Sequence, residues 1–246
     1  MKLSIRLFVL FFCFFLNLSS LYANIRVGTL LFYPPFVSSS GDGFNIDFMQ
    51  TICRRLQEKC EFIPMDSNRL FLALDKKQID IAIGVISISQ NSSSKYIFSL
   101  PYLVSKGQFL ISNNGSIQTI QDLNGKSVGV IRGEQDSADE FYRFLITNFN
   151  GLFEVKQFDD IEDLITALNQ GDIAAAYIHK SAAIYWQRNS NGQLITLGPA
   201  NVLSEGLTII ALPENTLLIQ RINQKIQEME KDSTFLNLYK TYFGLL

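Results

Sequence analysis

The chain has 246 residues, 47% of them hydrophobic and 18% charged, with a formal net charge of −2. A mildly acidic polypeptide lacks the basic surface that draws nucleic acid or anionic membranes, so neither is expected as a partner. At this length one large core and two linked lobes are both open, because cores tend to split near about 250 residues.

Residues 1–23 read as a secretory signal peptide. Lys2 and Arg6 give a positive start, Leu7 to Leu16 form an apolar run holding five Phe, and a polar patch (Asn17, Ser19, Ser20) precedes the small residue Ala23. The apolar run is short for a membrane span, which is the layout of a cleaved leader. Cleavage is expected after Ala23. Leu21 departs from the small residue favoured two positions earlier, and an uncleaved anchor is the alternative. Removing Lys2 and Arg6 takes the net charge from −2 to −4. A periplasmic, monomeric chain without metal or organic cofactor is expected.

Beyond the leader, strands and helices alternate. Ile25 to Thr29 is extended, Tyr33-Pro34-Pro35 has turn chemistry, and Phe44, Ile46, Phe48, Met49, Ile52 and Leu56 mark one helical face. A strand near Glu61 to Pro64 and a helix over Leu70 to Leu74 come next, then the near-continuous apolar run Asp80 to Val85. Such a run marks a strand buried on both faces, and the β-α-β-α-β order implies a parallel sheet. The theme restarts: a short helix, a Gly turn and a strand over 121–131, a helix over Glu134 to Thr147, a strand over Phe153 to Gln157, a helix over Ile161 to Asn169 and a strand over Ile173 to Ile178. Gln108 to Ser112 and Gly206 to Leu212 are placed to cross or flank a hinge. Leu217 to Phe243 is amphipathic and helical.

With the leader removed, two cysteines remain, Cys53 and Cys60. In a secreted chain an even pair reads as a disulfide. On one straight helix they would lie about 10 Å apart along the axis, beyond the roughly 7 Å that a bridge tolerates. If they pair, the helix must end between them. No CxxC motif suggests redox chemistry.

The blocks VGTLLFYPPF (27–36), GFNIDFMQTICRRLQEKC (43–60), LALDKKQIDIAIG (72–84), FSLPY (98–102), DLNGKSVGVIRG (122–133), ALNQGDIAAAY (167–177) and DSTFLNLYKTYFG (232–244) resemble, in order and spacing, the periplasmic polar amino-acid-binding proteins of ABC importers (solute-binding protein family 3). The cysteine spacing is closest to the lysine/arginine/ornithine- and histidine-binding members. The resemblance implies an α/β, two-lobed periplasmic-binding-protein fold (type II), each lobe a mostly parallel sheet flanked by helices, with a two-strand hinge. It implies lobe 1 over 24–106 plus 206–246, lobe 2 over 107–205, a small polar ligand in the cleft, and an inner-membrane ABC permease and its ATPase as partners. Ligands of open α/β sheets sit beyond the carboxyl ends of strands, here the loops after Thr29, Gly84, Val130 and Ile178.

Several family anchors are changed. After the strand reaching Gly84, Ser87 keeps the family hydroxyl, but Ser92 stands where an arginine clamps the ligand carboxylate, and a hydroxyl cannot make that bidentate pair. Lys95 is a nearby substitute if it is not simply solvated. Gly133 is followed by Glu134, Gln135 and Asp136 in place of hydroxyl residues at a helix start; the acids also read as ordinary first-turn residues. His179, the chain's one histidine, occupies the position of the aspartate that receives the ligand ammonium, and a neutral imidazole forms no such ion pair. Leu30 replaces an acidic residue of the basic-amino-acid binders. Tyr33 keeps an aromatic wall or packs its own turn, and Arg69 is a candidate carboxylate anchor or a surface residue. The expected ligand surface is therefore Tyr33, Arg69, Gly84, Ser87, Ser92, Gln135 and His179, with an altered or reoriented ligand. The alternatives are a receptor for a non-amino-acid ligand and a catalytic member of the fold resembling cyclohexadienyl or arogenate dehydratases, with Glu134 or His179 as general acid.

Overall fold

The structure, a computed structural model, describes residues 24–87, 95–132 and 140–244. A first β-α-β-α-β run contains β1 (Ile25–Leu30), α1 (Phe44–Leu56), β2 (Cys60–Met65), α2 (Leu70–Asp75) and β3 (Ile81–Ser87). In it β1 pairs in parallel with both β2 and β3. Short β4 (Ile97–Phe98) and long β5 (Leu103–Ser112) lead to a second run: β6 (Ser127–Ile131), α3 (Glu140–Asn148), β7 (Glu154–Phe158), α4 (Ile161–Gln170) and β8 (Ala175–His179). There β6 pairs in parallel with β7 and β8. The chain closes with α5 (Lys180–Asn189), β9 (Leu194–Ala211), α6 (Thr216–Lys231) and α7 (Thr234–Phe243).

The strand order is β2-β1-β3-β9-β5-β8-β6-β7, with β4 on β9. Each run thus places its first strand in the middle, and each is completed by one antiparallel strand, β9 on β3 and β5 on β8. These two strands also pair with each other, from Leu103↔Leu207 to Ser112↔Leu194. The ladder is therefore continuous from lobe to lobe, carried by the two strands that cross between them. Its register slips between Leu103 and Ser105, Ser105 and Lys106, and Gly107 and Phe109, so the pairing is irregular in the crossing itself. Gly206 lies there with φ 153, and a Cβ on it would stand 2.5 Å from the Leu103 carbonyl oxygen, which restricts the position to glycine. Gln108 to Ser112 pairs within the second lobe and Gly206 to Ala211 within the first, so both stretches flank the crossing.

Each lobe has its own aromatic core. In the first, Phe44 and Phe48 of α1 stack at 5.7 Å, Phe44 meets Phe243 at 4.8 Å and Phe48 meets Tyr102 at 4.9 Å. In the second, Tyr177 packs on Phe109 at 4.6 Å and on Phe144 at 5.6 Å. Local chemistry sets the helix ends. Asp160 caps α4 by accepting from the Asp163 N–H at 2.8 Å, and Gly171 ends it at φ 81. Two boundaries differ from the sequence reading. The amphipathic run at 217–243 is broken at Ser233 (φ 64) into α6 and α7. Helix α5 had no assigned element, because its buried positions are the small Ala182 and Ala183, which give little apolar periodicity.

Helix α1 ends at Gln57 in the left-handed conformation (φ 58), its N–H donating to the Arg54 carbonyl at 3.1 Å. That turn brings Cys60 back toward Cys53, Cα to Cα 6.1 Å, and the two form a disulfide. The bridge ties the end of α1 to the start of β2, as the spacing required. Replacing both cysteines by serine is expected to lower unfolding free energy by about 2–3 kcal/mol, the loop-closure contribution of so short a loop, measured by urea denaturation of oxidised and variant protein.

Candidate functional site

The carboxyl ends of the parallel strands meet the crossing from both sides. Ser87, last in β3, pairs with Leu207, which pairs with Leu103; His179, last in β8, pairs with Gly107, which pairs with Asn201. Four residues of β5, about 13 Å of extended chain, separate these two margins. The candidate site is the ground between them.

On the first-lobe side, the Tyr33 loop is held by the start of α1. That helix has no side-chain cap; the Phe44 and Asn45 N–H groups donate to the Pro35 and Phe36 carbonyls, both at 3.0 Å, which satisfies donors a helix start leaves free. Gly43, at φ 135, lets the loop come this close, since a Cβ would collide with the Phe36 carbonyl. Tyr33 is buried and packs on Phe36 at 6.0 Å. The end of β3 is fixed by a buried polar triangle: the Gly84 carbonyl accepts from Tyr102 Oη at 3.0 Å and Asn45 Nδ2 at 3.4 Å, while Tyr102 Oη lies 3.3 Å from Asn45 Oδ1. Burial pushes the Tyr102 phenol far above its ordinary value, so it stays a donor.

Side chains of the described residues join the lobes. Ser87 Oγ donates to Glu140 Oε1 at 2.7 Å, and Ser105 Oγ on β5 donates to the same oxygen. The His179 ring meets Phe36 edge-on at 5.1 Å, and Trp186 of α5 meets Phe32 at 6.4 Å. On the floor, the phenol of Tyr177 lies over Gly107, where any Cβ would collide with it, and Tyr177 Oη stands 3.3 Å from Asn201 Oδ1. Burial and the Glu140 carboxylate both raise the Tyr177 pKa.

His179 is buried, 2% exposed. Its Nδ1 accepts from the Ser181 N–H at 3.2 Å and so caps α5; Nε2 has no hydrogen-bond partner in good geometry. Burial lowers the ring's pKa to about 4, against a weak opposing pull from the Val104 backbone and with Lys180 adding to the depression. The ring is therefore neutral at pH 7.

The other expected residues are placed as follows. Arg69 ends a 3-10 turn over Ser67–Arg69, is exposed, and makes no ion pair among the described residues. Lys95 is held by Asp75 at 2.6 Å on the surface and lies over the Tyr96 ring at 5.2 Å, so it is engaged away from the strand ends. Ser92, Gly133, Glu134, Gln135 and Asp136 lie outside the described residues. The structure thus brings Ser87 together with Glu140, and Tyr33 with His179 through Phe36. Sequence reasoning missed Phe36, Asn45, Tyr102, Ser105 and Glu140. The one available signal was Asn45 and Tyr102 inside otherwise apolar stretches, since a buried polar side chain needs a partner.

Two measurements check this geometry. Tyr102→Phe removes the donor to the buried Gly84 carbonyl and is expected to cost about 1–3 kcal/mol in a urea melt. For His179, the unfolded ring titrates near 6.5 and the folded ring near 4, so between those values the unfolded chain binds the extra proton. Stability then falls as pH drops from about 6.5 and levels off below about 4, on the order of 3 kcal/mol in all. His179→Asn keeps a capping side chain without the titration, and its melting temperature is expected to depend less steeply on pH across that window.

The sequence model of the bacterial extracellular solute-binding proteins, family 3, matches residues 25–245. The L-cystine-binding protein TcyJ of Escherichia coli (strain K12) is 33% identical over 229 residues, 88% of this chain and 83% of its own. The histidine-binding periplasmic protein of the same strain is 27% identical over 233 residues, 89% of this chain and 87% of its own. Among solved structures, an arginine 3rd transport system periplasmic binding protein from Legionella pneumophila superposes with a TM-score of 0.82 at 34% identity, covering 89% of this chain and 99% of that one. An ancestral arginine-binding protein bound to arginine gives 0.77 at 30% identity, covering 90% and 98%. With the match spanning residues 25–245, the chain belongs to the bacterial extracellular solute-binding proteins, family 3.

Proposed function

We propose that this chain is a periplasmic receptor that captures an amino acid or amino-acid-like small polar molecule between its lobes and delivers it to an ABC importer. The observation that carries the reading is the convergence of Ser87, Ser105, Glu140 and His179 on the crossing of β5 and β9, where open α/β sheets take their ligands. Relatives named for binding cystine and histidine, and a solved neighbour named for arginine transport, support the ligand class. An inner-membrane permease and its ATPase are the partners, residues 1–23 are removed on export, and one chain supplies the whole cleft. The lobe limits are 24–106 with 206–246, and 107–205. Tyr33, Ser87 and His179 are the ligand surface of this reading, with Gly84 behind them and Arg69 on the first-lobe rim; Ser92 and Gln135, also expected there, lie outside the described residues.

Binding, and not catalysis, suits the chemistry. A general acid needs a proton to give near working pH, and the His179 ring is held neutral with Nδ1 occupied by the α5 cap.

The test is isothermal titration calorimetry and thermal shift of the chain from residue 24 with L-cystine, L-arginine and L-histidine, then with opines, small dicarboxylates and polyamines. At least one amino acid is expected to bind, and at about 100 times its Kd to stabilise the fold by roughly 2.7 kcal/mol. Silence across the whole panel would refute the reading.

A further inference from the structure

Glu140 is a carboxylate with only half of its hydrogen bonding supplied. Oε1 takes two hydroxyl donors, Ser87 from the first lobe and Ser105 from the crossing strand. Oε2 is buried and has no partner among the described residues. Neither protonation state removes the deficit: an ionised Oε2 lacks a donor, and a protonated one lacks an acceptor. A buried carboxylate oxygen left without a donor is satisfied by a cationic one.

The position is specific. The Glu140 charge acts on Tyr177, which shares a face of β8 with His179, two residues on. Ser105 lies two residues before Gly107, the pairing partner of His179. Glu140 therefore stands beside the end of β8, where the imidazole is neutral and offers no negative charge.

We propose that Glu140 is the cation receptor of the cleft and that its Oε2 takes the α-ammonium group of an amino-acid ligand. Cystine, histidine and arginine, for which the relatives and neighbour are named, have that one cation in common, whereas their side chains differ in charge. Ser87 and Ser105 act as positioning residues that aim the carboxylate. Because Ser87 belongs to the other lobe, the same carboxylate that selects the ligand also joins the closed halves. This assignment rests on the receptor reading above.

The experiment is a calorimetric cycle on the chain from residue 24. Wild type and Glu140→Gln are titrated with L-arginine and L-cystine, and with the same molecules lacking the α-amine, 5-guanidinopentanoic acid and 3,3′-dithiodipropionic acid. For the amino acid that wild type binds, Glu140→Gln is expected to weaken affinity at least 30-fold, and to change affinity for the amine-free partner less than 3-fold. Ser105→Ala is the second variant, should the amide variant melt without a cooperative transition; it is expected to weaken the amino acid several-fold and to spare the amine-free partner. Equal losses for both molecules of a pair, or no loss for either, would overturn the assignment while leaving the receptor reading in place. Failure of wild type to bind either amino acid would overturn the assignment, and silence across the wider panel would remove the receptor reading with it.

Discussion

Everything in this molecule hangs on one antiparallel pair. Strands β5 and β9 belong to both lobes at once: β9 closes the first sheet against β3, β5 closes the second against β8, and the two bond to each other between Leu103↔Leu207 and Ser112↔Leu194. The lobes cannot separate without breaking this ladder, yet in the crossing the ladder is poor. The register slips three times between Leu103 and Phe109, and Gly206 and Gly107 put no side chain there to pack. The aromatic cores lie to either side. A stiff body at each end and a weakly paired crossing between them is the arrangement expected of hinge closure.

The same pair explains why the polar groups assemble where they do. Ser87, the last described residue of β3, pairs with Leu207, and β8 ends at His179 opposite Gly107. Both ends therefore fall on the crossing without any need for Ser87 and His179 to be near in sequence. The supports behind them are local. Asn45 and Tyr102 hold the Gly84 carbonyl, and the loop carbonyls of Pro35 and Phe36 accept from the first N–H groups of α1, so the aromatic loop and the β3 end are set by the same helix.

How much of this could be read from the residues divides along physical lines. Elements with a strong period were legible: the six apolar positions of α1, the buried run of β3, the helix over Ile161 to Asn169. The disulfide was legible as a constraint, since seven residues of straight helix forbid it and a left-handed Gln57 permits it. Helix α5 was not, because alanines bury little area and carry little periodic signal. Glu140 was not, because it is one of several acids between 134 and 140 and nothing in helical spacing says which of them meets a serine 53 positions earlier. Ser105 reads as any strand hydroxyl. Tertiary meetings of this kind leave no trace in local pattern, and only the lobe crossing creates them.

Replacing an acid by His179 at the end of β8 also changes what the lobes tolerate when they meet. Phe36 of the first lobe packs on the His179 ring at 5.1 Å. An aspartate in that place, closed against a phenyl ring with no cation between, would pay a desolvation penalty of several kcal/mol. A neutral imidazole pays far less, and its Nδ1 is already satisfied by Ser181. Contact between the lobes here therefore discriminates weakly between a filled and an empty cleft. A ligand drives closure only by the difference in its affinity for closed and open forms, so that discrimination has to reside in a group whose deficit a ligand removes. Glu140 Oε2 is such a group, and it sits on the carboxylate that Ser87 grips from across the cleft. On the proposal that Oε2 takes the ligand's ammonium group, recognition and closure become one event, because the ligand supplies the missing donor to the carboxylate that Ser87 already holds.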